Sequence, residues 1–190
     1  MKVSLGARTL ALPMPAFLVG TYDANGRPNV MTAAWGGIVC SEPPLVAVSV
    51  RPPRWTHAGV LKNKAFTVSF PPARLAVETD FAGIVSGKDH DKFKEAGLTA
   101  VKSDLVEAPY VGECPVVAEC RLHASHELGT HTLFIGEIVD VKADREVAAD
   151  GGIDMRKADP LVFGADGNYH KLGPRVARAF SAGKDLKPKS

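Results

Sequence analysis

The chain has 190 residues, 45% of them hydrophobic, and sets 23 Lys and Arg against 21 Asp and Glu for a formal net charge of +2. That balance, with only 7% aromatic residues, supplies no basic face with interleaved rings and so argues against nucleic acid as a partner; no apolar run approaches the ~20 residues that span a bilayer. The three cysteines Cys40, Cys114 and Cys120 are odd in number and lack Cys-x-x-Cys spacing, which points away from a disulfide framework or zinc knuckle and toward a reducing cytoplasm.

A length of 190 residues fits one domain, expected over residues 1–180 with a radius of gyration of roughly 16 Å. Residues 181–190, with Lys184, Lys187 and Lys189, read as a solvated tail. In chain order, the apolar run Ala16–Val19 marks a strand between Pro15 and Tyr22, and Asp23-Ala24-Asn25-Gly26 supplies a tight reversal. The return arm, Pro28 to Val39, is rich in Ala and Gly and leaves room for something to lie against its backbone. Leu45–Val50 reads as a buried strand. Thr56 is placed to cap a short helix through Lys62, and Ala65–Phe70 alternates Phe66, Val68 and Phe70 inward with Thr67 and Ser69 outward.

After Pro71-Pro72 the spacing turns helical, with Leu75, Phe81 and Ile84 on one side. A turn at Ser86–Asp89 leads to a second short helix through Phe93, closed by Gly97. Pro115–Leu128 and His131–Val141 form the clearest pair: Val116, Ala118, Cys120 and Leu122 alternate against Glu119, Arg121 and His123, with Gly129 at the turn. Leu161–Phe163 and Tyr169–Leu172, joined across Ala165–Asn168, make a last hairpin. Many hairpin-linked strands with two helical insertions to plug the ends predict a mainly β, antiparallel barrel, and the missing βα alternation disfavours a doubly wound fold.

Several chemistries fail on spacing. Gly83–Asp89 has three residues between its glycines where a phosphate loop needs four, and Asp where Ser or Thr should stand. His123 and His126 are three apart on a strand and point to opposite faces, so they do not share a metal with His131. No Gly-x-Ser-x-Gly elbow is present, and spacing places no histidine base beside Cys40. What survives is a site for a flat ring with an anionic tail. Trp35 and Gly36-Gly37 give ring surface and close backbone approach; Arg51, Arg54, Thr56, His57 and Lys92 supply donors for a phosphate. Burying a phosphate costs several kcal/mol of hydration, whereas one hydrogen bond to a charged group returns ~1.5–3 kcal/mol, so several donors are required. A helix beginning near Thr56 would add free N–H groups and a partial positive charge.

In this setting the residues resemble a known family. Leu18-Val-Gly-Thr, Pro28-Asn29, Met31-Thr32, Ala34-Trp35, Gly37, Cys40-Ser41, Pro43-Pro44, Val48–Arg51, Arg54 and Thr56-His57 are similar to the flavin reductase-like family, and most to its flavoredoxin type. The likeness continues through Phe70-Pro71, Ser86-Gly87, Asp91-Lys92-Phe93, Gly97–Thr99, Glu113–Pro115, Gly129, His131, Phe134–Ile138, Leu172-Gly173 and Ala179–Ser181, nearly the whole chain.

The resemblance implies an FMN-binding split barrel working as a homodimer, with flavin near the subunit interface, cradled by the backbone of Asn29–Cys40. By the same likeness Trp35 flanks the flavin, Asn29 and Thr32 touch its polar edge or ribityl chain, and Ser49, Arg51, Thr56 and Lys92 hold the ribityl phosphate. His131 and Phe163 border the pocket, and Cys40 approaches the ring or packs as a small hydrophobe. The flavin performs the redox step, so no catalytic side chain and no metal ligand is assigned. The implied activity is electron transfer from NAD(P)H or a ferredoxin-like protein to a flavin, ferric or sulfur-oxyanion acceptor. An NAD(P)H:flavin reductase serving a monooxygenase and a non-catalytic flavin-binding module remain alternatives.

Overall fold

The apolar run that begins before Phe17 is divided between two sheets. In the computed structural model, which describes residues 1–149 and 151–186, Met14–Pro15 is a short β1 and Phe17–Tyr22 is β2, followed by β3 (Pro28–Ala33), β4 (Gly36–Cys40), β5 (Leu45–Val50), α1 (Trp55–Asn63) and β6 (Ala65–Phe70). Then come α2 (Ala76–Ile84), α3 (Lys92–Glu95), β7 (Ala100–Lys102), β8 (Pro109–Val111) and the long pair β9 (Val116–Leu128) and β10 (His131–Ala143). The chain closes with β11 (Ala148–Ala149), β12 (Gly152–Ile153), α4 (Met155–Ala158), β13 (Leu161–Phe163) and β14 (Tyr169–Lys171). Lys187 and Lys189 of the expected tail lie outside the described residues.

Seven strands form one antiparallel sheet in the order β3-β2-β6-β9-β10-β5-β4. It curls until both margins share one interior: Phe17, Val19, Met31 and Ala33 from one side meet Val46, Val48 and Val50 from the other around Phe66 and Phe134. Each fully buried aromatic or aliphatic side chain there contributes about 1.5–3 kcal/mol. Gly136 lets the curl close, since a Cβ at that position would sit 2.5 Å from Cζ of Phe66. This is the expected antiparallel split barrel with short helical insertions.

The opposite faces of β2 and β3 are buried as well. Leu18 and Val30 pack with Leu75, Ala82, Phe93, Leu98 and Val111 under α2, α3 and β8. That second layer corrects several expectations. Thr67 and Ser69 do not face solvent; both are fully buried, Thr67 Oγ1 donating to the Pro109 carbonyl at 2.6 Å and Ser69 Oγ accepting from Val111 N–H at 3.2 Å. Glu119 is fully buried too, paired with Lys142 Nζ at 3.2 Å. Helix α2 buries Thr79 and Ala82, whereas Ile84 is exposed. The arm Pro28–Val39 is two strands, because after Ala33 the chain leaves β2 and reappears as β4 beside β5.

The turns behave as their residues dictate. Asp23 Oδ1 accepts from the N–H groups of Asn25 and Arg27 at 2.8 and 3.0 Å, and Gly26 takes φ +77°. The terminal hairpin β13–β14 pairs Phe163 with Tyr169, and β1 extends it by pairing Met14 with Phe163.

Candidate functional site

A cleft of about 380 Å³ opens where the two margins of the barrel approach each other. Its walls are the end of β3 and the crossing to β4 (Met31–Trp35), the end of β5 (Ser49–Arg51), Arg54, Gly83 of α2, His131 of β10, and Phe163 and Tyr169 of the terminal hairpin. The crossing is held by the Trp35 carbonyl, which accepts the Ser49 N–H at 2.8 Å. Trp35 remains 43% exposed, and its ring lies 6.5 Å from that of His131 with the planes 8° apart. Opposite them, the Phe163 and Tyr169 rings meet edge-on at 5.7 Å, and Tyr169 Oη reaches Asp80 Oδ1 at 3.4 Å. The Thr32 hydroxyl donates to the Thr79 carbonyl of α2.

One end of this region is cationic. Arg54 Nη1 donates to the Gly83 carbonyl at 3.1 Å, and the buried Lys92 donates from Nζ to the Ala82 carbonyl at 2.7 Å. Arg27 Nη2 reaches the Gly87 carbonyl at 2.8 Å. Burial, and after it the charge of Arg54, pushes the Lys92 ammonium down to about 8. Among the described residues no carboxylate pairs with Arg51, Arg54 or Lys92. Cations that meet only main-chain carbonyls are poised to gain an anion.

Asn29, Thr56 and Lys92 form a layer beneath the cleft and do not line it. Asn29 Nδ2 donates to Thr56 Oγ1 at 2.8 Å, while Asn29 Oδ1 is buried with no partner. Gly87 packs directly over that oxygen: a Cβ there would lie 2.0 Å from it. The expected cap is corrected here. Helix α1 starts at Trp55 with Arg54 as its N-cap and no side-chain cap bond, so Thr56 lies within the first turn and holds Asn29. The N–H of the next residue, His57, is taken by the Arg54 carbonyl at 2.9 Å.

Six of the ten predicted site residues, Thr32, Trp35, Ser49, Arg51, His131 and Phe163, line one cleft within a single chain. Cys40 does not: it sits past a register shift in β4, its thiol donating to the Glu42 carbonyl at 3.3 Å. His57 turns instead to β10, with Nε2 2.9 Å from Thr132 Oγ1 and its ring 5.0 Å from Phe134, and burial lowers its pKa against the opposing charge of Glu127. Met31, Gly83 and Tyr169 line the cleft without having been predicted. Met31 read as core, and Gly83 and Tyr169 reach the cleft only through tertiary packing. Among the described residues no three His, Cys, Asp or Glu side chains are grouped to hold a metal, and no helix is long and apolar enough to cross a membrane.

A curled antiparallel sheet with an aromatic-walled, anion-ready cleft at its seam defines the split-barrel class of flavin-handling proteins. The chain belongs to the flavin reductase-like family, whose model, the flavin reductase like domain, matches residues 9–173. Flavoredoxin of Desulfovibrio vulgaris (Miyazaki F) superposes with a TM-score of 0.92 at 50% identity, covering 97% of this chain and 100% of that one. Flavoredoxin from Methanosarcina acetivorans gives 0.91 at 30% identity, covering 98% and 100%. A ferric-chelate reductase (NAD(P)H) of Archaeoglobus fulgidus is 32% identical over 167 residues, 86% of this chain and 90% of the relative.

Proposed function

We propose that the protein is an FMN-dependent electron-transfer protein of flavoredoxin type, acting as a homodimer on a flavin, ferric or sulfur-oxyanion acceptor. The observation that carries this reading is the convergence of Arg54 and Lys92 on adjacent carbonyls of α2, with no carboxylate paired to either among the described residues, next to an aromatic-walled cleft. The residues fit the cofactor: Arg54 and Lys92 meet main-chain carbonyls and, with Arg51, no carboxylate among the described residues, which matches an anionic tail, beside the ring surfaces of Trp35, His131 and Phe163. Arg51, Arg54, Lys92 and the first turn of α1 would hold the phosphate, Thr32 and Ser49 the ribityl chain, and Trp35, His131 and Phe163 the ring. When bound, FMN supplies the one- and two-electron chemistry. The side chains bind it, exclude water on the Trp35 and Phe163 sides and leave the cleft mouth for donor and acceptor. A phosphate clamp without an adenosine-binding loop favours FMN over FAD.

The relative described as a ferric-chelate reductase (NAD(P)H) favours a second reading within the same site, in which NAD(P)H is the direct donor. One experiment addresses both. Protein purified without added cofactor is expected to be yellow and to release FMN on denaturation; anaerobic titration with NAD(P)H and with reduced ferredoxin then identifies the donor. A colourless protein that leaves FMN fluorescence unchanged overturns the proposal.

A further inference from the structure

Three cations dock on one stretch of main chain. Lys92, Arg54 and Arg27 donate to the carbonyls of Ala82, Gly83 and Gly87 at 2.7, 3.1 and 2.8 Å. They arrive from three places, α3, the N-cap of α1 and the turn between β2 and β3. Among the described residues Arg54 and Lys92 have no carboxylate partner, whereas Arg27 Nε meets Asp23 Oδ2 at 3.1 Å. The Asp23 side chain is only 2% exposed. Burial works to raise its carboxyl, but the N–H groups of Arg27 and Asn25 and the Arg27 guanidinium outweigh it and hold its pKa below the ordinary value. A guanidinium already neutralised in this way offers little net charge to an arriving anion. Arg27 therefore acts through the chain that it holds.

What it holds is the cover of the layer beneath the cleft. Gly87 is buried so close to its neighbours that a Cβ would lie 2.0 Å from Asn29 Oδ1 and 2.9 Å from Trp55 Cδ1. Asn29 in turn donates to Thr56 in the first turn of α1. Beyond the Gly87 carbonyl, the Lys88 N–H donates to Ser86 Oγ at 3.2 Å, and the N–H groups of Asp89 and His90 return to the Ser86 carbonyl at 3.1 and 3.0 Å. A planar trans peptide carries its C=O and the following N–H on opposite sides. Fixing the Gly87 carbonyl therefore also fixes the Lys88 N–H on the Ser86 hydroxyl. One bond across 60 positions of sequence thus ties the β2–β3 turn to the loop after α2.

We infer that Arg27, anchored by Asp23, is a positioning residue for the anionic end of the site: it clamps residues 86–88 over Asn29 and so sets where the tail of the ligand meets Arg54 and Lys92. The inference rests on the flavin reading above and adds to it a residue that acts without touching the ligand.

Fluorescence titration of the full chain with FMN and with riboflavin tests this. Arg27→Met keeps the alkyl stem and removes both donors. It should raise the FMN dissociation constant by about 10-fold, the low end for one hydrogen bond to a charged group, and that of riboflavin by less than about 3-fold. Asp23→Asn, whose Oδ1 still accepts the two turn N–H groups, should shift the same ratio less, and carries the comparison if Arg27→Met does not fold. In the double variant the two losses should not add, because both act through one contact. Amide hydrogen exchange gives a readout that needs no flavin: residues 88–90 should exchange about 10-fold faster in Arg27→Met, with β9 and β10 unchanged. Unchanged FMN affinity in both variants, equal losses for FMN and riboflavin, or unchanged exchange at residues 88–90 overturns the inference. Wild type that binds no FMN, while the loop still exchanges faster in Arg27→Met, removes the flavin reading and leaves the clamp standing.

Discussion

Arg54 and Lys92 donate to the carbonyls of consecutive residues at the end of α2, Nη1 to Gly83 at 3.1 Å and Nζ to Ala82 at 2.7 Å. Two like charges thus sit side by side at a helix C-terminus, where the partial negative charge of the carbonyls tolerates them.

If these groups grip a phosphate, Arg54→Ala and Lys92→Ala each weaken FMN by roughly 10- to 100-fold, the worth of one charge-assisted hydrogen bond. Riboflavin, which lacks the phosphate, should lose far less. Fluorescence titration with both ligands makes the comparison, and equal losses for the two would refute the phosphate assignment.

The titration of Lys92 gives a pH signature. Its folded value is lowered from 10.5 to about 8, first by burial and then by Arg54. Between those values the unfolded chain binds the extra proton, so this group's contribution to stability rises with pH across that window; below about 8 the full penalty of the buried charge is present. Replacing it by Met should remove this upward trend in thermal stability. For the ligand the sign reverses. FMN needs the ammonium, so its affinity should fall as pH climbs past about 8, whereas Lys92→Arg should flatten the profile. An FMN profile identical in wild type and Lys92→Arg would count against the assignment.

Thr56 stabilises the site through Asn29. Thr56→Val keeps the shape but strips Asn29 Nδ2 of its acceptor, leaving both ends of a buried amide without partners. A loss of about 1–3 kcal/mol is expected in urea unfolding, together with weaker flavin binding. Thr56→Ser should restore both.

Gly20 measures how tightly the second layer is seated. A Cβ there would lie 2.0 Å from the Pro109 carbonyl oxygen and 2.5 Å from Thr67 Oγ1, so Gly20→Ala forces β8 away and breaks the Thr67–Pro109 bond. The expected cost is about 3 kcal/mol by chemical denaturation. Gly37→Ala, where nothing lies within 4 Å, is the control and should stay within about 0.5 kcal/mol.

Where local chemistry decides, the sequence was readable. Asp23–Gly26, Gly97 and Gly129 turn the chain where expected, the latter two at φ +66° and +70°, and β10 alternates buried and half-buried positions from His131 to Gly136. The family motifs brought Thr32, Trp35, Ser49, Arg51, His131 and Phe163 to one cleft. Alternation fails where a polar side chain finds a buried partner: Thr67 and Ser69 look solvent-facing in one dimension but are hydrogen-bonded to Pro109 and Val111, and Glu119 is buried with Lys142 as its charge partner. The break at Ala34-Trp35 was hidden because Gly-rich residues suit either one bent strand or two. Strands β7 and β8, three residues each, carry too few positions for any period to register, and Lys92 gave no sign in the sequence that it would be buried.

The carbonyls of Ala82 and Gly83 have a kinetic implication. Because they already immobilise the guanidinium and the ammonium, an arriving anion need not freeze two long, flexible side chains, and little rotamer entropy remains to be lost on capture. Association is then governed by diffusional encounter and its salt dependence, not by rearrangement of the receptor.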